Sequence, residues 1–124
     1  MATGNCVENR LLQRLKTDYI VNEHGCHVWT GGTPNHNGYG RLFYTEDGKK
    51  KQVYVHRAQY ILNNYGTLDV ILPPLLQISH RCHNKLCINI EHLSLEEAAV
   101  NMQRNTCIQF RSCAHHGQYG DCIL

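Results

Sequence analysis

SHRCHNKLCINIEHL, residues 79–93, places three histidines and two cysteines in fifteen positions, directly after an apolar run. Within it, Cys82-x4-Cys87-x4-His92 offers three soft or borderline donors at short spacing. Tetrahedral zinc takes four such groups, and closing a tight loop costs little entropy. The fourth donor must come from elsewhere. Cys26 is the natural one: it follows Gly25 in a turn-rich stretch from Asn22 to Asn37, and a ligand so distant would tie the two halves of the chain together.

A second set lies downstream, where Cys107-x5-Cys113-x-His115-x6-Cys122 again supplies four donors in a tail with little apolar content. Such a tail cannot fold by burial alone, and structural zinc supplies apparent binding energies of roughly 10–16 kcal/mol in small peptides. Any one of these residues alone would pass as a buried thiol or a surface histidine. Eight of them sorting into two sets of four would not. The chain holds seven cysteines and nine histidines; an odd number of cysteines argues against a disulfide framework, and the histidines point to mixed nitrogen and sulfur metal sites. Cys6 is left over, as are His24, His27 and His36 near the first set.

At 124 residues the chain is one domain's worth, small enough to need metal support. No apolar stretch approaches a membrane span, and no leader pattern opens it, so an intracellular, non-secreted protein is expected, nuclear in a eukaryote. A net charge of +2 sets up no global basic field, so any nucleic-acid argument must be local; Lys49, Lys50 and Lys51 form the one tight cationic cluster.

Elements can be placed around the two sets. Leu11, Leu12 and Leu15 recur at helical spacing, predicting an N-terminal helix within residues 1–22. Aromatic and β-branched residues flank Glu46-Asp47-Gly48 and predict a β-hairpin over 39–55. A helix follows from His56 to Asn64, closed by Gly66. Pro73-Pro74 interrupts the next apolar run, so only its end can be a strand, delivering His80. Ser94-Leu95-Glu96-Glu97 has the capping-box pattern and predicts a helix from there to about Arg104. The expected units are thus the hairpin at 39–55, a strand, loop and helix unit over 76–104, and the tail over 105–124, all in one domain.

If Cys82, Cys87 and His92 serve structure, His80 is free, and its orientation is set by the loop that begins two residues later. A fixed, neutral imidazole is a general base. Asn101, on the following helix, can fold back over that strand, and an amide oxygen suits hydrated magnesium as a single protein ligand. Strand, zinc loop and helix would form a ββα-metal unit.

The pattern Ser79-His80-x-Cys82-His83-Asn84-x-x-Cys87-x-Asn89-x-x-His92-Leu93, with Asn101 downstream, resembles the His-Cys box homing endonucleases of the His-Me finger (HNH-related) superfamily. Gly25-Cys26-x-x-Trp29-Thr30-Gly31, Gly38-Tyr39-Gly40-Arg41 and His56-Arg57 resemble small HNH-type endonucleases of the same group. The resemblance implies a small α+β, zinc-stabilised ββα-metal fold with an antiparallel hairpin sheet. It implies two structural zinc ions, on Cys26, Cys82, Cys87 and His92 and on Cys107, Cys113, His115 and Cys122. It implies one catalytic magnesium or other divalent ion on Asn101, and His80 as general base. The spacing inside the second set departs from the family's, so His116 is an alternative to His115. The family also sets a cation near the scissile phosphate; of Arg41, Lys50, Lys51 and Arg57, Lys51 and Arg41 are the expected pair.

The implied function is hydrolysis of double-stranded DNA to 5′-phosphate and 3′-hydroxyl ends, with the hairpin reading the major groove through Lys50, Gln52 and Tyr54. Two copies as a homodimer would cut both strands; one copy would nick. A non-catalytic DNA-binding module of the same fold, such as the resembling Smad domain, is the alternative. It has no physical need to keep His80 and Asn101 together.

Overall fold

A computed structural model describes residues 6–32 and 37–124, with the side chains of Cys6 and Val7 left out, so Cys6 as a thiol and His36 lie outside the described residues. Helix α1 (Cys6–Thr17) is followed by β1 (Tyr19–Val21) and β2 (His27–Trp29), then β3 (Arg41–Glu46) and β4 (Lys49–Tyr54), which runs directly into α2 (Val55–Tyr65). Strands β5 (Leu76–His80) and β6 (Leu93–Glu97) precede α3 (Ala98–Phe110). Among the described residues the strands form three two-stranded antiparallel sheets, β1-β2, β3-β4 and β5-β6. This is the small α+β architecture expected, with antiparallel hairpins and two Cys/His clusters.

Each element follows from local chemistry. The hairpin β3-β4 turns on Asp47 and Gly48, both at positive φ (52° and 74°), the two-residue geometry whose twist matches paired strands. Leu42, opposite Val53, faces inward and is fully buried; Arg41, Phe43 and Thr45 lie opposite Tyr54, Gln52 and Lys50 on the other face. Helix α2 ends as expected on Gly66 in the left-handed conformation. The core joins Leu11 and Leu15 of α1, Trp29, Leu42, and Val55, Ala58 and Leu62 of α2 to Ile88 from the cysteine loop. Glu8 ties α1 to the segment after α2, accepting from the backbone of Leu68 at 2.6 Å and the hydroxyl of Thr67 at 2.9 Å.

Three boundaries differ from expectation. The first helix stops at Thr17, because Tyr19–Val21 pairs with His27–Trp29. The capping box at Ser94 does not cap: Ser94 pairs with Ser79 inside the β5-β6 ladder, and α3 starts only at Ala98. Ladder pairing with 76–80 satisfies several backbone groups of 93–97, whereas a cap serine serves one amide. Finally, α3 runs past Arg104 to Phe110 and stops at Arg111 in the left-handed conformation.

Pairing also sends Glu96 inward, where it is fully buried against Arg104. Both guanidinium bonds to the carboxylate are 2.8 Å, and the same guanidinium donates to the carbonyls of Tyr119 (3.1 Å) and Gly120 (2.9 Å) and to Cys122 Sγ (3.3 Å). This pair clamps the C-terminal tail to α3. Arg104→Met is expected to lower unfolding free energy by about 3–5 kcal/mol, because it strands a buried carboxylate. Chemical denaturation of the metal-loaded protein measures this; a loss below about 1 kcal/mol would mean the clamp contributes little.

Candidate functional site

The segment between β5 and β6 is pinned on all sides. The amide of Arg81 donates to His92 O (2.8 Å), Ile88 N to His27 O (2.8 Å), and Trp29 N to Leu86 O (2.8 Å), so β2 docks along the loop. The Asn89 side chain donates to Gly25 O at 2.8 Å, and Asn22 Oδ1 accepts from Cys26 N at 2.9 Å. These bonds bring the Cys26 turn onto the cysteine loop. The donor atoms of Cys26, Cys82, Cys87 and His92 lie within 4.8 Å of one another, with His92 Nδ1 3.6 Å from Cys26 Sγ and 3.5 Å from Cys87 Sγ.

Such a set fits zinc. Bonds of roughly 2.0–2.3 Å in a tetrahedron put donors about 3.5–3.8 Å apart. The thiols form no disulfide. Hydrogen bonding from Cys82 pulls the Cys87 thiol down to about 5, against the opposing effect of burial. Cys82 is pushed well above the usual thiol range by its bond to Cys87 and then by burial. Burial likewise raises Cys26.

In the tail, the histidine that joins Cys107, Cys113 and Cys122 is His116, not the expected His115. His116 Nε2 is 3.5 Å from both Cys107 Sγ and Cys122 Sγ. His115 sits at φ 63°, and its ring turns outward to Asp121 at 3.2 Å. That backbone turn, invisible to ligand spacing, sends adjacent side chains in different directions. Backbone amides donate to sulfur in this cluster: Ala114 N to Cys107 (3.3 Å), and His115 N (3.3 Å) and Cys122 N (3.2 Å) to Cys113. Burial would raise the Cys113 thiol, but those amide bonds outweigh it and the net shift is downward. Burial pushes Cys122 up to about 11. Arg81 couples the two clusters: it donates to Asp121 O at 2.8 Å and Glu91 O at 3.0 Å, and its carbonyl accepts from Ile123 N at 2.7 Å.

Beside the first cluster, a cleft of about 210 Å³ is lined by Tyr39, Ser79, His80, Lys85, Asn101 and Asn105, among others. His80 closes β5. Its Nε2 lies 3.1 Å from the Cys87 carbonyl, which can only accept, so that nitrogen carries the proton and Nδ1 keeps its lone pair. Burial pushes His80 down to about 4; the Cys87 bond opposes this, and the charges of His83 and Lys85 add to it. The imidazole is uncharged at neutral pH. Asn101, in the first turn of α3, donates from Nδ2 to Gln77 Oε1 on β5 at 3.0 Å. The donor end of that amide is engaged on the strand, so its oxygen is the end left to accept.

Neither expected cation lines this cleft. Lys51 pairs with Glu46 at 2.8 Å and lies on the Leu42 side of the hairpin. Arg41 donates to Gln52 at 3.0 Å and lines a different hollow with Tyr54 and Arg57. Lys85 and Tyr39 line the cleft instead; Tyr39 stood in the Gly38-Tyr39-Gly40-Arg41 motif without a role, and Lys85 was not singled out. One signal was available for Lys85, the one lysine or arginine between Cys82 and His92.

His56 packs behind His80, ring centroids 4.7 Å apart, with Tyr39 at 5.2 Å and Tyr54 at 5.9 Å. Its buried Nδ1 has no partner among the described residues. Burial, then the charges of His80 and Arg57, push it down to about 3. A folded value below the unfolded value of about 6.5 means the unfolded chain takes the proton first. The stability from neutral His56 is therefore complete above about pH 6.5 and falls as pH drops towards 3, by up to about 1.4 kcal/mol per pH unit. His56→Phe is expected to flatten this acid slope in denaturant titrations from pH 6.5 to 4; parallel slopes would contradict it.

Among the described residues no helix is long and apolar enough to cross a membrane. A family model described as the zinc-binding loop region of homing endonuclease matches residues 22–122. Protein 2.8 of Escherichia phage T7 is 35% identical over 89 residues, covering 72% of this chain and 52% of that protein. The chain thus spans about half the length of this curated relative.

Proposed function

The chain belongs to the homing-endonuclease zinc-binding-loop family, and on that premise we propose that it is a metal-dependent DNA endonuclease with His80 as general base. The observation that carries this reading is the state of His80: Nε2 donates to the Cys87 carbonyl at 3.1 Å, and Nδ1 is left unprotonated in the cleft that Asn101 also lines. Nδ1 takes a proton from a water placed in line with the scissile phosphorus. Asn101 is the residue that would hold magnesium or another divalent ion through its amide oxygen. That ion, when bound, supplies positive charge to the phosphate and to the leaving 3′ oxygen. Products carry 5′-phosphate and 3′-hydroxyl ends.

The clusters at Cys26, Cys82, Cys87 and His92 and at Cys107, Cys113, His116 and Cys122 serve as structural zinc sites in this reading. They hold the two flanks of the cleft in register and leave no open position for substrate. The face of β3-β4 that carries Lys50, Gln52 and Tyr54, with Arg41 bonded to Gln52, is the DNA-reading surface. A two-stranded ribbon fits the major groove.

The test is conversion of supercoiled plasmid to nicked and linear forms by zinc-loaded protein, with and without added magnesium. Magnesium-dependent cutting supports the reading, and the ratio of linear to nicked product reports whether two copies act together. Salt-sensitive binding without cutting, on plasmids of diverse sequence, would instead make it a DNA-binding module of the same fold.

A further inference from the structure

We infer that Lys85 is the side chain that meets the scissile phosphate, its ammonium donating to a non-bridging oxygen; the assignment rests on the endonuclease reading above. The argument starts from charge. A phosphodiester carries one negative charge into the cleft, where His80 and Asn101 are both neutral. Of the lysine and arginine side chains lining the cleft, Arg104 is 1% exposed and occupied by Glu96 and two tail carbonyls. Lys85 is exposed, and among the described residues its ammonium donates to a neutral acceptor, the Asn37 carbonyl at 3.0 Å. A phosphate oxygen adds a full opposite charge to the hydrogen bond, which a neutral carbonyl lacks, so an arriving phosphate outcompetes that carbonyl.

Lys85 is also placed, not merely nearby. It lies between Cys82 and Cys87, so its backbone is held by the first cluster. Its ammonium stands 5.2 Å from the centre of the Tyr39 ring, and that ring stacks on His80 at 5.9 Å. Gly38, at φ 81°, leaves room for the lysine stem: a Cβ there would come within 3.1 Å of Lys85 Cδ. Residues 37–39 therefore shape the far wall of the cleft around this side chain.

The experiment compares wild type, Lys85→Met and Lys85→Arg on one duplex substrate, measuring kcat, KM, zinc content and the salt dependence of binding. Lys85→Met is expected to lower kcat by about 10²-fold, the cost of losing one transition-state donor, with KM changed less than threefold and zinc content intact. Lys85→Arg should recover most of the loss. Three outcomes overturn the assignment. A Met variant that cuts within threefold of wild type shows that Lys85 is idle. A rise in KM alone, with the salt slope reduced by about one, makes it a contact to a non-scissile phosphate. Loss of zinc from both variants makes it a part of the loop's structure. Wild type that binds DNA and never cuts would instead defeat the endonuclease reading itself, and the assignment with it.

Discussion

Replacing His80 with alanine is expected to reduce plasmid cutting by about 10²–10⁴-fold, the usual contribution of a positioned general base. Three features make the effect large. The imidazole is held by one bond through Nε2, its tautomer leaves Nδ1 free, and burial keeps it uncharged at neutral pH. Among the described side chains that line the cleft, His83 is the other imidazole, and its Nε2 is buried with no partner. His83 therefore provides the control: His83→Ala should cut far better than His80→Ala. The variants must first retain wild-type zinc content and melting temperature, since β5 pairs with β6 through His80 and Leu93. Cutting by His80→Ala within tenfold of wild type would remove His80 from the chemistry.

The second large effect is on folding. Stripping zinc with a strong chelator is expected to abolish the cooperative unfolding transition rather than shift it. A structural zinc site contributes on the order of 10–16 kcal/mol in small peptides, against a total stability of about 5–15 kcal/mol for a domain. Either cluster alone thus exceeds what the rest of the fold can replace. The buried apolar core is modest and incorporates Ile88 from the cysteine loop itself, so release of the loop opens the core. Beyond α3, the tail has one short 3₁₀ turn, Gly117–Tyr119, and is held by the cluster, Arg81 and Arg104. Metal analysis should find two zinc ions per chain. His116→Ala should lose one of them and His115→Ala neither; the reverse result would restore the spacing-based choice. An apoprotein with an unchanged melting curve would refute a structural role for both clusters.

Much of the fold was legible because short-range chemistry decides it. Asp47-Gly48 specifies a two-residue hairpin turn whatever surrounds it, and Gly66 a helix stop. Ligand spacing in the loop was equally plain, since a tetrahedral site constrains how far apart its donors can be along the chain. Ser94 misled for the complementary reason. A serine three residues before a glutamate is a good cap only if the intervening backbone is free, and here residues 93–97 are paired across to 76–80.

By itself, then, the sequence determined most of the local elements, the donors of the cysteine loop, the cysteines of the tail, and the placement of His80 at a strand end. These depend on spacing along the chain and on intrinsic backbone preference. Only the tertiary structure decided which of two adjacent histidines faces the cysteines, where the last helix begins, and which cation stands in the cleft. His115 sits at φ 63° and His116 at φ −114°, so their rings leave the chain in different directions; Lys51, Arg41 and Lys85 differ by which wall they line. Such choices turn on the direction of a side chain after long-range pairing, a quantity that residue type and spacing leave undetermined.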